Sequence, residues 1–408
     1  MCRRRIKTIW GAVALGVLVV GNARGQSALP GRPGANLPAA PAQSRLTIGS
    51  IFPLSGVQAA YGQEAGRGIE LAMAQLKIKA PELAARLEVV IGDDLSTAKD
   101  AAAATDKLIE HDRVQILIGS VASGSTAAMA GQVRHHELPM IAPITAQSTV
   151  AMGNGVFRSC VGEDLEGAIL AELALKVLGV KQVATLRDEA GAAQAFIDRF
   201  AEAFKAGGGQ VTDQETYDLA ADDFTPLLKR IDASGAKLIV TPAPLPTAAV
   251  LMQQAKKVNP DLHFLGGDSW DSPALSRAAG PAAAGHFFVA HFATDDPDPA
   301  VVDFVRAFQQ KYGRSPGAIA ALTYDGFNLI IDAFRRANTN LKAPLILAVE
   351  QTKDLAGVTG ILTLAGRGGE ALKTGIVKET TADGAKFKAR VTPTAPTLTA
   401  KVPPTKGP

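Results

Sequence analysis

Ile116-Leu117-Ile118-Gly119-Ser120-Val121-Ala122-Ser123-Gly124-Ser125-Thr126 runs from an unbroken apolar segment into a turn of small and hydroxyl-bearing residues. An alanine-rich helical stretch follows. This is the pattern of a buried strand feeding a helix across a tight turn. A helix start leaves backbone N–H groups without partners and carries the positive end of the helix dipole. Ser123 and Ser125 there are either ordinary helix caps or hydroxyl donors in a carboxylate site. The local sequence leaves both open.

The same alternation extends to either side. Apolar runs at Leu46–Phe52, 87–91, 114–118 and Met140–Ala142 are separated by longer helical patterns, and the rhythm resumes after Arg158 at 182–186, 237–241 and 263–265. Helical spacing is explicit at Val301, Phe304, Val305, Phe308 and Tyr312, and again at Phe196, Phe200, Ala203 and Phe204. Repeated strand-helix-strand units imply an α/β chain with a parallel sheet in each of two successive units. Residues 286–292 break the rhythm as one apolar strand, followed by the turn-rich Asp295-Asp296-Pro297-Asp298-Pro299, which marks a boundary.

The 408 residues are too many for one ordinary domain. At the N-terminus, Arg3, Arg4, Arg5 and Lys7 precede an apolar run from Ile9 to Val20, and Ala23-Arg24-Gly25 offers small residues for cleavage. Residues 1–25 therefore read as a secretory signal peptide. The run is short of the about 20 residues that span a bilayer; a retained anchor is the alternative. Of the 42 Lys and Arg, five lie in this segment, which leaves 37 cations against 39 Asp and Glu in the exported chain. No basic stripe suited to nucleic acid remains. Cys2 would leave with the signal, so Cys160 is alone and is expected to be a buried, unreactive thiol. Residues 26–45 read as a flexible leader and 392–408, with five prolines, as a tail.

Enzyme signatures are missing from the sequence. There is no phosphate-binding loop, Gly66-Arg67-Gly68 lacks a third glycine, and Ser123 has Val121 rather than glycine two positions before it. A hydrolase built on Ser123 would need a histidine and an acid that no motif supplies. His135-His136-Glu137 cannot chelate, because adjacent helical side chains point about 100° apart; it is expected to be a solvated helix end. Asp93-Asp94 and Asp222-Asp223 are expected to be solvated turns.

Ile48-Gly49-Ser50-Ile51-Phe52-Pro53-Leu54-Ser55-Gly56, Tyr61-Gly62-Gln63-Glu64 and Gly68-Ile69-Glu70-Leu71-Ala72 resemble the opening of periplasmic substrate-binding proteins of the leucine/isoleucine/valine type. The likeness continues through 119–126, Leu138-Pro139-Met140-Ile141-Ala142-Pro143, Asp222-Asp223-Phe224 and Ala321-Leu322-Thr323-Tyr324-Asp325-Gly326. The resemblance implies two doubly wound parallel-sheet lobes joined by a three-segment hinge, with passages near 161–163, 289–292 and 357–361. Lobe 1 would comprise 46–161 plus 290–358, and lobe 2 would comprise 162–289 plus 359–391.

By the same resemblance, Tyr61 covers a ligand in the cleft, while Ser123 with the backbone of Val121 and Ala122 holds its carboxylate. A threonine that assists in the family falls on Ala146, beside Ile144 and Thr145, which line the adjoining loop. Asp268 stands where an acid pairs with the α-ammonium, one methylene and about 1 Å shorter than the family's glutamate. Ala192 and Ile319 take the places of aromatic lids, so a bulkier or differently shaped ligand than leucine is expected. The implied function is that of a periplasmic, non-enzymatic receptor of an ABC importer. It would bind an amino acid or amino-acid-like carboxylate, deliver it to a permease and touch the membrane only through that permease. A monomer without cofactor or metal is expected. A sensing protein of the same fold, or a receptor for an amide or urea, is the alternative.

Overall fold

The computed structural model describes residues 44–147, 150–191 and 193–394. The signal peptide, most of the leader, Ala192 and most of the tail lie outside the described residues.

The first sheet is built from β1 (Leu46–Phe52), β2 (Leu87–Asp93), β3 (Ile116–Gly119), β4 (Met140–Ala142) and β5 (Val156–Arg158). All pairings are parallel and the order is β2-β1-β3-β4-β5. Both faces are covered, which is why the strands read as continuous apolar runs. Side chains alternate across the sheet. Ile116 and Ile118 enter a core with Ile48, Phe52, Phe327 and Phe334, while Leu117 enters the opposite core with Ile51, Leu108, Met129 and Val133. The first core is roofed by α1 (Ala59–Lys79), the second by α3 (Ala98–Glu110) and α4 (Ser123–His135); a short α2 (Pro81–Ala84) follows α1.

The second sheet repeats the plan. It contains β6 (Gln182–Asp188), β7 (Gln210–Tyr217), β8 (Leu238–Val240), β9 (His263–Gly266) and β10 (Phe287–Ala290) in the order β7-β6-β8-β9-β10, all parallel. Ile239, Phe264 and Phe288 face a core that includes residues of α7 (Thr225–Ala233), α8 (Leu245–Val258) and α9 (Pro273–Ala279). Val240, Leu265 and Val289 face the other core, with α5 (Glu163–Glu172) and α6 (Gln194–Ala206). The sequence reading missed β7, whose residues are mostly polar and partly exposed because it is an edge strand.

Beyond β10 the chain forms α10 (Pro299–Tyr312), α11 (Ala318–Ala337) and α12 (Lys342–Glu350), and then a small antiparallel sheet of β11 (Leu355–Gly357), β12 (Gly360–Thr363) and β13 (Leu372–Lys373). α11 packs on α1, and Phe304 and Phe308 of α10 join Leu71, Ala320 and Ala321. Finally β14 (Gly375–Thr380) pairs antiparallel with β10, and β15 (Ala385–Val391) with β14. Three passages connect the sheets: after β5, after β10 and between β13 and β14. The third differs from the expected position near 357–361. Leu362, Leu364 and Ala371 sit in the core of the first sheet, so the chain crosses only at about Lys373–Gly375.

Candidate functional site

In both sheets the strand order reverses between the first and third strands, β1 and β3 in one and β6 and β8 in the other. Loops leaving such neighbours at their carboxyl ends turn to opposite faces and open a crevice, the usual ligand position in doubly wound sheets. The expected residues follow strand carboxyl ends, some at these switch points and some on the next strand along. Tyr61 follows β1, Val121, Ala122 and Ser123 follow β3, Ile144 and Thr145 follow β4, and Asp268 follows β9. Ala192, after β6, lies outside the described residues. Ile319 is the exception, in the first turn of α11. Val121, Ile144 and Ile319 each pack part-buried on the core that holds Ile48, Phe52 and Phe327. Tyr61 stands apart from that cluster, 55% exposed in the first turn of α1.

At the start of α4 the serines do not act as caps. Ala122 is the N-cap residue, Ser123 is the first helical residue, and no side chain caps the helix. Thr126 holds the turn instead, accepting from the Ser120 N–H at 3.2 Å and donating to the Ala122 carbonyl at 2.9 Å. The Thr145 hydroxyl donates to Thr126 Oγ1 at 2.8 Å, so this buried residue braces the helix start from behind. A Cβ at Gly119 would run into the Ile51 carbonyl, and its φ of +154° also favours glycine.

Asp93-Asp94 corrects an expectation. Asp94 is fully buried and accepts hydrogen bonds from the Ser120 hydroxyl and, at 2.9 Å, the Ser96 N–H. Burial pushes its pKa up against those bonds. Asp93 accepts from the Leu54 N–H at 2.8 Å, the Leu95 N–H at 3.0 Å and Ser55 Oγ at 2.7 Å. Burial acts to raise its pKa, and the hydrogen bonds from Ser55, Leu95 and Leu54 outweigh it. The pair therefore fixes the two loops that flank the crevice. Asp222 and Asp223 are exposed as expected, with Asp223 accepting from the Thr225 N–H at 2.9 Å.

In the second sheet, after β9, Asp268 opens a single turn of 3-10 helix, Asp268–Trp270. Its Oδ2 lies 3.0 Å from His291 Nε2, in the passage after β10, and its N–H donates to Glu166 Oε2 at 3.1 Å. Burial acts to raise the Asp268 pKa, but the bond and charge of His291 prevail and hold it below the usual carboxyl value. Glu166 is buried in the first turn of α5. Its burial, with the Asp268 charge beside it, lifts it well above that range. Gly267 makes room for it, since a Cβ there would lie 2.8 Å from Glu166 Oε2. Neither His291 nor Glu166 was identified from sequence. His291 sits one residue past β10, and Glu166 is an acid set between Leu165 and the apolar Gly167-Ala168-Ile169-Leu170, a placement that could have marked it.

The passages are tied by buried ions. Arg158 Nε is 2.8 Å from Glu370, and its guanidinium also donates to the carbonyls of Thr145 and, at 3.1 Å, Gln147. Lys373 Nζ donates to the Ser159 carbonyl and to Thr359 Oγ1, and the Thr359 hydroxyl donates to Asp325. Cys160 lies among them, and burial pushes its thiol up to about 11. Among the described residues no group of His, Cys, Asp and Glu could hold a metal ion. His135 is exposed at the end of α4, and His136 Nε2 is 3.6 Å from Asp106. A cavity of about 570 Å3 among Gln75, Tyr324, Asn328, Val358, Ile361 and Arg390 includes none of the expected site residues.

A family model described as periplasmic binding protein matches residues 45–385. A Leu/Ile/Val-binding protein homolog 2 of Brucella abortus is 25% identical over 332 residues, which cover 80% of this chain and 88% of the relative. The crystal structure of the leucine binding protein LivK of Thermotoga maritima is 28% identical, with a TM-score of 0.64 over 85% of this chain and 99% of its own. That of LivJ from Streptococcus pneumoniae, a branched-chain amino acid transporter substrate binding protein in complex with isoleucine, is 25% identical. Its TM-score is 0.62 over 85% of this chain and all of its own.

Proposed function

The chain belongs to the periplasmic binding protein family, a family of solute-binding proteins, and we propose that it is the exported receptor of an ABC importer. It holds a small carboxylate in the crevice between its lobes and hands it to a membrane permease. The observation that carries this reading is the uncapped start of α4. A carboxylate would take the N–H groups of the first turn and the Ser123 hydroxyl, where the helix dipole favours an anion. Val121, Ile144 and Ile319 supply an apolar flank for the rest of the ligand, and Tyr61 is free to fold over it.

Closure of the lobes about the three passages would exclude water and strengthen the charge-assisted bonds to the carboxylate. The named specificities of the relatives, for leucine, isoleucine and valine, support a small organic acid as the cargo. Export fits the N-terminal signal pattern; among the described residues no helix is long and apolar enough to cross a membrane.

Titration calorimetry against branched-chain amino acids, their keto acids and benzoate tests the reading. Binding of at least one, weakened about tenfold or more by Ser123→Ala, is expected, which is about 1.4 kcal/mol. Folded protein that binds none of them would overturn it.

A further inference from the structure

The chain between Phe292 and Pro299 starts and finishes on the first lobe. Phe292, just past the second passage, is buried with Leu71 of α1 and with Val301, Phe304 and Phe308 of α10, and its ring meets that of Phe304 edge-on at 5.7 Å. Pro299 begins α10, which Asp298 caps by accepting the Ala300 N–H at 2.9 Å. Midway the same segment is held by the second lobe. Asp295 Oδ2 accepts the Phe387 N–H of β15 at 2.8 Å, and Asp296 Oδ2 accepts from Arg390 Nε of the same strand at 2.8 Å. Arg390 Nη1 also lies 3.4 Å from Asp298 Oδ2.

Asp296 is the centre of this grip. Its side chain is 2% exposed. Its Oδ1 accepts the Asp298 N–H at 3.0 Å, in the turn that starts α10, while its Oδ2 faces β15. One buried carboxylate thus joins first-lobe backbone to a second-lobe cation. The contact lies close to two of the passages: Arg390 pairs with Ile376, one residue past Gly375, and Asp296 is four residues past Phe292. The cavity of about 570 Å3 opens beside it, walled by Gln75, Tyr324 and Asn328 of the first lobe and by Thr374 and Arg390 of the second. That space leaves the two walls room to move relative to each other, which the ionic contact restrains.

We propose that the strap Asp295–Asp298, locked by Arg390, is a noncovalent tie between the lobes that limits how far they open. This rests on the reading that the lobes rotate about the three passages. Opening that draws β15 away from the start of α10 would strip a buried carboxylate of its cation, which is strongly unfavourable. The tie therefore holds the ligand-free protein towards closure, and removing it populates wider arrangements.

The test reads the distance between the lobes directly, by pulsed electron paramagnetic resonance on the ligand-free protein. Spin labels are placed at Val57→Cys and Leu219→Cys, exposed positions beyond β1 and β7, in a Cys2→Ser background that keeps the buried Cys160. Arg390→Met should move the mean to longer distance and widen the distribution about twofold or more. Arg390→Lys keeps the charge but not the fork that reaches both acids, and should fall between. A folded Arg390→Met with the native distribution overturns the proposal, even with a lowered melting temperature, since the pair would then support the fold alone. Should Arg390→Met fail to fold, Asp296→Asn is read in the same way: a wider distribution supports the tie and an unchanged one overturns it. No cargo is added, so the result is independent of what the crevice binds. A protein that takes up no carboxylate but widens on Arg390→Met would refute the proposed cargo and leave the tie standing.

Discussion

Lys373 Nζ donates to the Ser159 carbonyl at 2.7 Å, so the third passage grips the first through a buried ammonium group. Thr359 Oγ1 takes a second bond at 2.6 Å. Burial lowers the Lys373 pKa, opposed by the charge of Asp325.

Lys373→Met would leave the Ser159 carbonyl and Thr359 Oγ1 without that donor, and Asp325 without its cation. A loss of about 3 kcal/mol is expected from removing one partner of a buried charged network. Urea unfolding should show a lower midpoint with an unchanged slope.

His286 predicts a pH dependence of stability. Its Nδ1 accepts from the Phe264 N–H at 3.2 Å, so its Nε2–H donates to the Ala282 carbonyl at 2.9 Å. The ring is therefore neutral by design of its partners. Burial lowers its pKa to about 4, from 6.5. Between those values the unfolded chain binds a proton that the folded one does not. The contribution is thus present above pH 6.5 and is lost as the pH falls towards 4, by about 2–3 kcal/mol. The stability gap between the native protein and His286→Asn should shrink by that amount between about pH 7 and about pH 4.5.

Glu166 gives the opposite sign. With its pKa raised by burial and by Asp268, the folded state keeps a proton that the unfolded chain releases above about pH 4.3. Stability from this site is present below that value and is lost as the pH rises through the folded pKa. Glu166→Gln preserves the acceptor for the Asp268 N–H and removes the titration. Its melting temperature relative to the native protein should rise between about pH 5 and about pH 8.

Asp94→Ala should cost about 2 kcal/mol, because the Ser96 N–H and the Ser120 hydroxyl lose a buried acceptor. It should also weaken ligand binding, because Ser120 begins the turn that sets the α4 start. Paired denaturation and calorimetry separate the two effects; native-like affinity in the folded variant would dissociate Asp94 from the site.

The strands were legible because both sheets are covered on both faces, which writes them as apolar runs, and the turn at 119–126 was legible because its composition changes abruptly. β7 was not, since a polar, half-exposed edge strand carries no such signal. Asp93-Asp94 was misread because the groups that make it structural, Ser55 and Ser120, are 38 and 26 residues away from their partners. The same distance problem hid the Asp268 contact: Asp268 could be placed by resemblance, but His291 is 23 residues further on, and nothing in its own neighbourhood says which acid it meets.

The closing hairpin of the second sheet has a bearing on assembly. β10 finds its antiparallel neighbour only in β14, after α10, α11, α12 and the small sheet have been made. Until then the segment Phe287–Ala290 presents a bare apolar edge, the kind that recruits strands from other chains. A chain stopped before Gly375 would keep that edge and should form aggregates. The C-terminal hairpin is therefore the clasp that covers this edge, and it is the last part of that lobe to be synthesised.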